Sequence, residues 1–577
     1  MCDAGAWWLK GAWIELGIEA ALLKVIETAV CRYATGTGPP LRVLNHTREV
    51  LVRKNETLAF LPLFEAMMRP IHLDTYDDDG LGLLTEADRA YRSSAIDHYL
   101  IELMRLRIAT PLGRALARCY WRAWYQAETM ADGHVFYLDM HDKVVWTNLP
   151  GPLGFVSALH EVHACLKQVF VHGRGGHPLY CETRAADVHL NEVVVEMALN
   201  LEQAVGRRVV QVIVTDREGL STEVIEALAR HKKALVTLLK ANQYTGEADF
   251  DRRSRFRPLR DPRTGIVTHR VADADFELTP DLRVRAALIY EVERPDHLIA
   301  LITTVSRVDE PDVCRIVGWY LARWNAQENS FRDQIAFVHL NTNFGLHAKR
   351  AVPDRHIARQ IAELTAHLEA VKRKSDAKLV GLAKMERLIH NQNTRHDPKV
   401  AALLRPPRRQ GPHAPTRAAK REQRLAEYRQ RHHARLVKRL AHRTKLEQEL
   451  EAHRQEQARV VQALTELDPQ AQFFEIDTEK DQIVAHLRVG LHNSVLWARD
   501  HYFGSRYQHA TPLTLWRTFF NQDGFYRATE DRIVVTLNPF RDPQVQQEAI
   551  AACKRFNEHR IKTLSGKVIE MKVAESI

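Results

Sequence analysis

The seven cysteines of this 577-residue chain form no Cys-x-x-Cys pair and no regular framework. That excludes a disulfide scaffold and predicts free thiols in a reducing compartment. No uninterrupted apolar run is long enough to span a bilayer. Asp3, Glu15, Glu19 and Glu27 interrupt the N-terminal apolar residues, which no signal peptide tolerates. These absences predict a soluble cytoplasmic protein with no membrane partner. The basic stretch after Thr416 lacks clean heptads, and the first 130 residues hold no convincing helix-turn-helix.

Positive charge is in excess. Lys and Arg number 82 against 72 Asp and Glu, a formal charge of +10. This favours a polyanionic partner, and the uneven distribution says more than the total. The length suggests three or four domains.

Residues 1–130 read as helical. Trp13, Ile14, Leu16, Ile18, Ala21, Leu22 and Ile26 recur at helical spacing, and Pro39-Pro40 and Asp77-Asp78-Asp79-Gly80 divide the region. A later helix carries Arg105, Arg107, Arg114, Arg118 and Arg122 beside Tyr120, Trp121, Trp124 and Tyr125. That pattern suits either a grip on DNA or a solvated face with snorkelling charges. From residue 131 the period shortens. His134–Asp139 reads as a strand, Val144-Val145-Trp146 as its hairpin partner and Leu179-Tyr180-Cys181 as a third strand. A helix over 184–204, a buried strand over Val209–Val214, a helix over Ser221–Arg230 and a second buried strand over Leu235–Leu239 follow. Residues 241–295, with Pro258, Pro262 and Gly265, read as a β insertion, and Leu298–Val305 returns as a strand. The fold class is therefore α/β, a mixed sheet.

The next helix is expected to begin near Asp309, with Pro311 in its first turn. Ile316, Tyr320, Trp324 and Glu328 recur every fourth residue, and Phe331 follows three later. A regular helix puts them on one face, where a carboxylate is costly unless paired or bound to a cation. Asp139 lies in the first strand and Asp216 at the carboxyl end of a buried one, where α/β sheets place ligands. If those strands are neighbours, Asp139, Asp216 and Glu328 can converge. Carboxylates suit hard divalent cations, and a pair of such ions can activate a nucleophile and stabilise a leaving oxygen at phosphorus. Asp132, Asp142 and Glu218 compete for individual positions.

Three segments carry a resemblance. Phe136-Tyr137-Leu138-Asp139-Met140-His141-Asp142-Lys143 resembles the first-strand motif of DDE transposases of bacterial insertion sequences. Val214-Thr215-Asp216-Arg217-Glu218-Gly219-Leu220-Ser221 is similar to their second motif. Ile302-Thr303-Thr304 with the stretch from Tyr320 to Phe331 resembles the third. The likeness covers about residues 131–350 and extends loosely to Gly524–Pro539. It implies a ribonuclease-H-like catalytic core with Asp139, Asp216 and Glu328 holding Mg²⁺ or Mn²⁺, two ions in all. Double-stranded DNA, as terminal inverted repeats and target, is the implied substrate. The implied assembly is a homodimer or larger on paired ends, nucleoid-associated when acting. His141, Lys143, Arg217, Lys240, Arg323, Trp324 and Arg332 are the implied DNA contacts, with Arg323 alternatively bracing Glu328.

The implied organisation is a helical region for DNA binding or dimerisation (1–130) and a catalytic domain (131–400) with its insertion at about 241–295. A Pro/Arg linker and basic long helix (401–467) suited to phosphate contact follow, then a small α+β domain (468–577). Two departures stand out. Gln327 occupies the place where the family carries Glu, with Glu328 one residue later, and Ile335 stands where a Lys is usual, leaving Arg332 or Lys349 as substitutes. An inactive DNA-binding copy, and a metal-dependent nuclease without strand transfer, are the alternatives. His160, His163, Cys165, His172, His177 and Cys181 crowd one segment, but in no zinc-site spacing.

Overall fold

The computed structural model describes the whole chain except residues 2, 37, 65–79, 88–90, 127–133, 146–152, 157–158, 262–263, 343–346, 354, 406–413, 469, 471 and 576–577. Asp132, Trp146, the 77–79 turn and most of the 405–415 linker lie outside the described residues. The chain forms two compact units. One comprises Met1–Arg350 with Phe474–Ile577, the other Ala351–Phe473.

In the first unit, helices α1 (Trp7–Glu15), α2 (Ile18–Ala34), α3 (Arg48–Phe64), α4 (Gly80–Leu84), α5 (Ser93–Arg105) and α6 (Ala109–Trp124) precede the sheet. The sheet begins with β1 (Val135–Val144), β2 (Leu153–Val156), β3 (Glu161–His172) and β4 (Pro178–Ala185). Then come α7 (Leu190–Val205), β5 (Val212–Val214), α8 (Thr222–Arg230) and β6 (Ala234–Leu238). Strands β7 (Asp251–Arg252), β8 (Arg257–Arg260), β9 (Val267–Thr279), β10 (Leu282–Glu291) and β11 (Arg294–Thr303) follow. Ser221 caps α8, its hydroxyl accepting from Val224 N–H.

All eleven strands share one mixed sheet. Its path runs β2-β3-β1-β5-β6-β11-β10-β9-β7, with β4 on β3 and β8 on β9. The inserted β strands thus extend the sheet. Strands β1, β3 and β4 are antiparallel, whereas β5 is parallel to both β1 and β6. The hairpin expectation for 144–146 is corrected. Strand β1 itself runs to Val144, and its antiparallel partner is β3, with Tyr137 opposite His172 and Val144 opposite Cys165. An alternating strand can continue through polar residues, because only every second side chain faces a core.

That alternation divides the core. Val135, Tyr137, Val212 and Val214 pack on one face with Ile316 and Val317, while Phe136, Leu138 and Ile213 face the large core that holds α6 and α7 residues. Helix α9 (Val313–Arg323) covers the first face. Its expected start is corrected too. Asp312 is the N-cap, its carboxylate accepting from Cys314 N–H at 3.1 Å, and the Pro311 carbonyl accepts from Arg285 at 3.2 Å. A short carboxylate at 312 satisfies one of the N–H groups that the first turn of a helix leaves without an acceptor.

Helix α10 (Asn329–Val338) completes the region around the acids. In the second unit, α11 (Arg355–Leu404) and α12 (Ala414–Glu466) form an antiparallel pair. Lys378 meets Glu449 at 2.5 Å and His367 meets Glu456 at 3.2 Å, so positions rise on one helix as they fall on the other. The seam is narrow: Val371, Leu425, Leu446 and Leu450 are buried, while Leu440 is exposed. That is the structural form of the missing heptad.

Helix α13 (Glu479–His501) belongs to the first unit and is buried along nearly its whole length. The three-stranded C-terminal sheet also packs there. Gly5 N–H donates to the Gln522 carbonyl and Gly524 N–H to that of Met1, both at 3.0 Å. A Cβ on Gly5 would stand 2.2 Å from the Phe519 carbonyl oxygen, so this close approach requires glycine. Among the described residues no helix is long and apolar enough to cross a membrane.

Candidate active site

Strand parity sets up the site. Val135, Phe136 and Tyr137 pair in parallel with Val212, Ile213 and Val214. Continuing that register places Asp139 opposite Asp216, just past the last paired residues. Both carboxylates follow the positions that face α9. Asp139 Oδ1 accepts from Met140 N–H at 2.8 Å. Asp216 caps the following turn, accepting from Glu218 N–H at 2.9 Å, and Thr237 holds its backbone carbonyl at 2.6 Å.

The third acid arrives by an irregular helix. Residues Trp324–Glu328 form a π turn between α9 and α10, and Asn329 N–H reaches back five residues to the Trp324 carbonyl. A π turn accommodates one more residue than an α turn. Arg323 and Glu328, five apart, are thereby brought to one side. Arg323 Nη2 lies 3.0 Å from Glu328 Oε1, and its Nη1 lies 3.3 Å from Asp139 Oδ2. The extra residue is turned inward: Gln327 is fully buried, and among the described residues neither its amide oxygen nor its nitrogen has a partner. The expected common face is corrected accordingly. Ile316 is buried, Tyr320 is intermediate, and Trp324 is 64% exposed, and beyond Trp324 the π turn breaks the four-residue step to Glu328.

Phe331 anchors the far side. Its ring meets Phe170 at 5.1 Å, His172 at 5.2 Å and His141 at 5.7 Å. This holds the start of α10 against β1 and β3. The glycine turn before β4 supports the π turn: Gly176 has φ +82°, and a Cβ there would lie 3.6 Å from Ala326 Cα.

Electrostatics bind the group together. Burial, then the Asp216 carboxylate, push the Asp139 carboxyl up to about 7; Arg323 and Met140 N–H oppose this, and Glu328 adds to it. Burial alone would lower the Arg323 guanidinium, but Asp139, Tyr320, Glu328 and Asp216 together hold it above its ordinary range. One guanidinium is thus the local counter-charge for several acids. A test follows from the sign. An acid with a raised folded pKa stabilises the fold below its unfolded value and loses that contribution as pH rises through about 7. The loss is on the order of 4 kcal/mol at most. Metal-free wild type should therefore lose stability relative to Asp139→Asn between about pH 4 and 7, read as a widening Tm gap in calorimetry. A gap independent of pH would contradict the assignment.

The donor set fits a divalent cation in charge and hardness. Arg323, lying between Asp139 and Glu328, is the cation the acids already have. Among the described residues no three His, Cys, Asp or Glu side chains converge closely enough to hold an ion. Asp142 pairs with Lys167. Glu218 is exposed, its carboxyl raised by burial of its polar end and by Asp216.

The expected DNA contacts separate into two groups. Arg217, Lys240, Trp324 and Arg332 are exposed, and Arg323 is engaged with the acids. Lys143 is corrected: it is 1% exposed and ion-paired with buried Asp481, so no phosphate can reach it. Odd and even positions of β1 face opposite sides, yet Lys143 is past the region α9 covers and meets α13 instead. His141 hydrogen-bonds Asn341 and stacks on Phe331. Ile335 packs partly buried against the core, and the Lys349 side chain lies outside the described residues. Of the histidine and cysteine cluster, Cys181 Sγ lies 3.4 Å from His486, and His177 stacks on Trp124 at 4.0 Å. Sequence reasoning missed the π turn and the Lys143–Asp481 pair. The displaced Glu328 was the available signal for the first.

A scan against protein-family models and a search of curated proteins both find no match to the chain.

Proposed function

We propose that this chain is a divalent-metal-dependent phosphoryl-transfer enzyme acting on DNA, a DDE-type transposase. The observation that carries the reading is the π turn. It absorbs the extra residue and sets Glu328 beside Arg323, on the side where Asp139 lies. The strand order β4-β3-β1-β5-β6, three antiparallel then two parallel to β1, supports a ribonuclease-H-like core.

Asp139, Asp216 and Glu328 would hold Mg²⁺ or Mn²⁺. Ions held there would supply activation of an attacking oxygen and stabilisation of the leaving one at phosphorus. The chain's own residues do the rest. Asp216 is fixed by its backbone capping bonds. Phe331 fixes the helix that bears Glu328. Arg323 neutralises the acids in the metal-free protein, so that guanidinium and cation are alternatives for one negative field. Exposed Trp324 offers a stacking face, and exposed Arg217, Lys240 and Arg332 offer phosphate contacts. Two element ends must be joined, so a homodimer or larger assembly is the proposed working form.

One observation favours a second reading, a DNA-binding protein with a dead core: Arg323 already neutralises the acids, and Gln327 holds the family's Glu position. The two are separated by incubating the full chain with DNA bearing the element's ends, with and without Mn²⁺. Cutting followed by joining supports the transposase. Cutting without joining supports a nuclease, and end binding without cutting supports the dead core.

A further inference from the structure

A groove of about 910 Å³ lies between α2 and α6, away from the acids. Two helices line it with cations: Lys24 and Arg32, two turns apart, on α2, and Arg114, Arg118 and Arg122, one turn apart, on α6. On a helix, four residues rise about 6 Å, so the α6 row is a linear array about 12 Å long. Among the described residues none of these five forms an ion pair, and the Arg114 Nε is buried without a partner. Arg118 alone is partly committed, donating from Nε to the Ala204 carbonyl at 3.0 Å. The one acid in the lining, Glu15, is engaged elsewhere, accepting from Trp497 Nε1 at 3.0 Å and from Tyr502. Arg107, at the end of the groove, is neutralised by Asp477 at 2.8 Å.

An ordinary solvated face would scatter such charges outward or pair them at i and i+4 with acids. Here like charges converge from two helices on a shared concavity. Their mutual repulsion is relieved by a polyanion. A single phosphate would use one or two of them, whereas a row over three turns matches a repeated anion. The floor is built of small residues, Gly17, Ala20 and Ala21 among them, and Trp497 forms part of the wall. A cationic track with an aromatic wall is how single nucleic-acid strands are held.

We infer that the α2–α6 groove binds one phosphodiester strand of nucleic acid through Lys24, Arg32, Arg114 and Arg122. A chain of packed rings runs from the groove towards the acid site. Trp497 meets Trp124 edge-on at 6.0 Å, and Trp124 stacks on His177, next to the glycine turn that supports the π turn. The inference does not rest on the metal site, and its test is run in EDTA.

Binding of labelled single-stranded and duplex oligonucleotides to the full chain is measured across about 50–200 mM salt. The variant Lys24→Gln/Arg32→Gln/Arg114→Gln/Arg122→Gln is expected to flatten the salt slope by about 3 and to weaken strand binding on the order of a hundredfold at low salt. Replacing the three arginines by Lys should keep the slope, which separates charge from folding. A second readout needs no substitution. Half-buried Cys119 lines the groove, so its alkylation by iodoacetamide, followed by mass spectrometry, should slow severalfold with oligonucleotide bound. Protection by the duplex as well as the strand assigns one duplex backbone to the groove; protection by the strand alone assigns a free strand. An unchanged slope, an unprotected Cys119 on the DNA complex, or protection by inorganic polyphosphate but not by DNA overturns the inference. Loss of cleavage with these results intact would count against the metal site and not against the groove.

Discussion

Glu328→Gln is expected to lower metal-dependent DNA cleavage by about a thousandfold or more, while Gln327→Ala leaves it within about tenfold. The two residues are adjacent, so propensity and local unfolding cannot explain such a split. Glu328 faces Arg323 across 3.0 Å and shares its field with Asp139. An amide keeps the shape of the side chain and removes the charge a metal ion needs. Several kcal/mol of transition-state stabilisation at the metal would be lost, and each 1.36 kcal/mol is a factor of about ten. Gln327 is buried, without partners among the described residues. Truncating it removes two unsatisfied polar atoms, each of which costs about 1–3 kcal/mol, and leaves a small cavity that costs a similar amount. Single-turnover cleavage rates measure both. Equal losses in the two variants would show that the π turn, and not the Glu328 carboxylate, is what cleavage requires.

Deleting Gln327 altogether should yield a folded protein with Tm at or above the wild-type value. One residue removed from a continuous α-helix normally rotates everything beyond it by about 100° and strips the core of its contacts. The π turn holds one residue more than an α turn, so its removal restores i→i+4 bonding and leaves α10 facing as before. Phe331 then stays among Phe170, His172 and His141. The shortened helix sets the acid four residues after Arg323, the spacing of the family that the sequence resembles. Deleting exposed Ala336, beyond the bulge, is the control: it rotates buried Phe337 and Val338 off the core and should lower Tm by several degrees, at roughly 1 °C per kcal/mol for a unit of this size. Calorimetry on both deletions decides it. A Gln327 deletion as damaging as the Ala336 deletion would mean that the bulge carries packing of its own.

Much of the sheet was legible because period-two patterning needs only local information. The run over Val209–Val214 and that over Leu235–Leu239 read as buried strands, and the structure pairs them in parallel as β5 and β6. Asp139 and Asp216 could be matched because each sits two residues past an apolar strand position, Tyr137 and Val214, that the structure pairs. Three features were not legible, each for a physical reason. The partner of β1 begins only at Glu161, after a long excursion, so the nearest apolar segment misled. Lys143 looked like a free cation since its partner Asp481 is 338 residues away and arrives on α13. The four-residue step from Ile316 to Glu328 assumes α geometry throughout, and helical sequence alone does not announce a π turn. The displaced Glu328 did mark the place where that assumption fails.

The proposed function requires that Asp139, Asp216 and Glu328 draw together around a divalent cation for chemistry at phosphorus. Its most direct test is titration of the metal-free full chain with Mn²⁺ by calorimetry above pH 7, for wild type, Asp139→Asn and Glu328→Gln. The account predicts saturable binding by wild type that weakens at least about tenfold in each variant, the loss expected when one charged ligand is removed. Absence of wild-type binding at millimolar Mn²⁺, in a protein that still binds DNA, would contradict it and leave Arg323 as the only cation these acids ever hold.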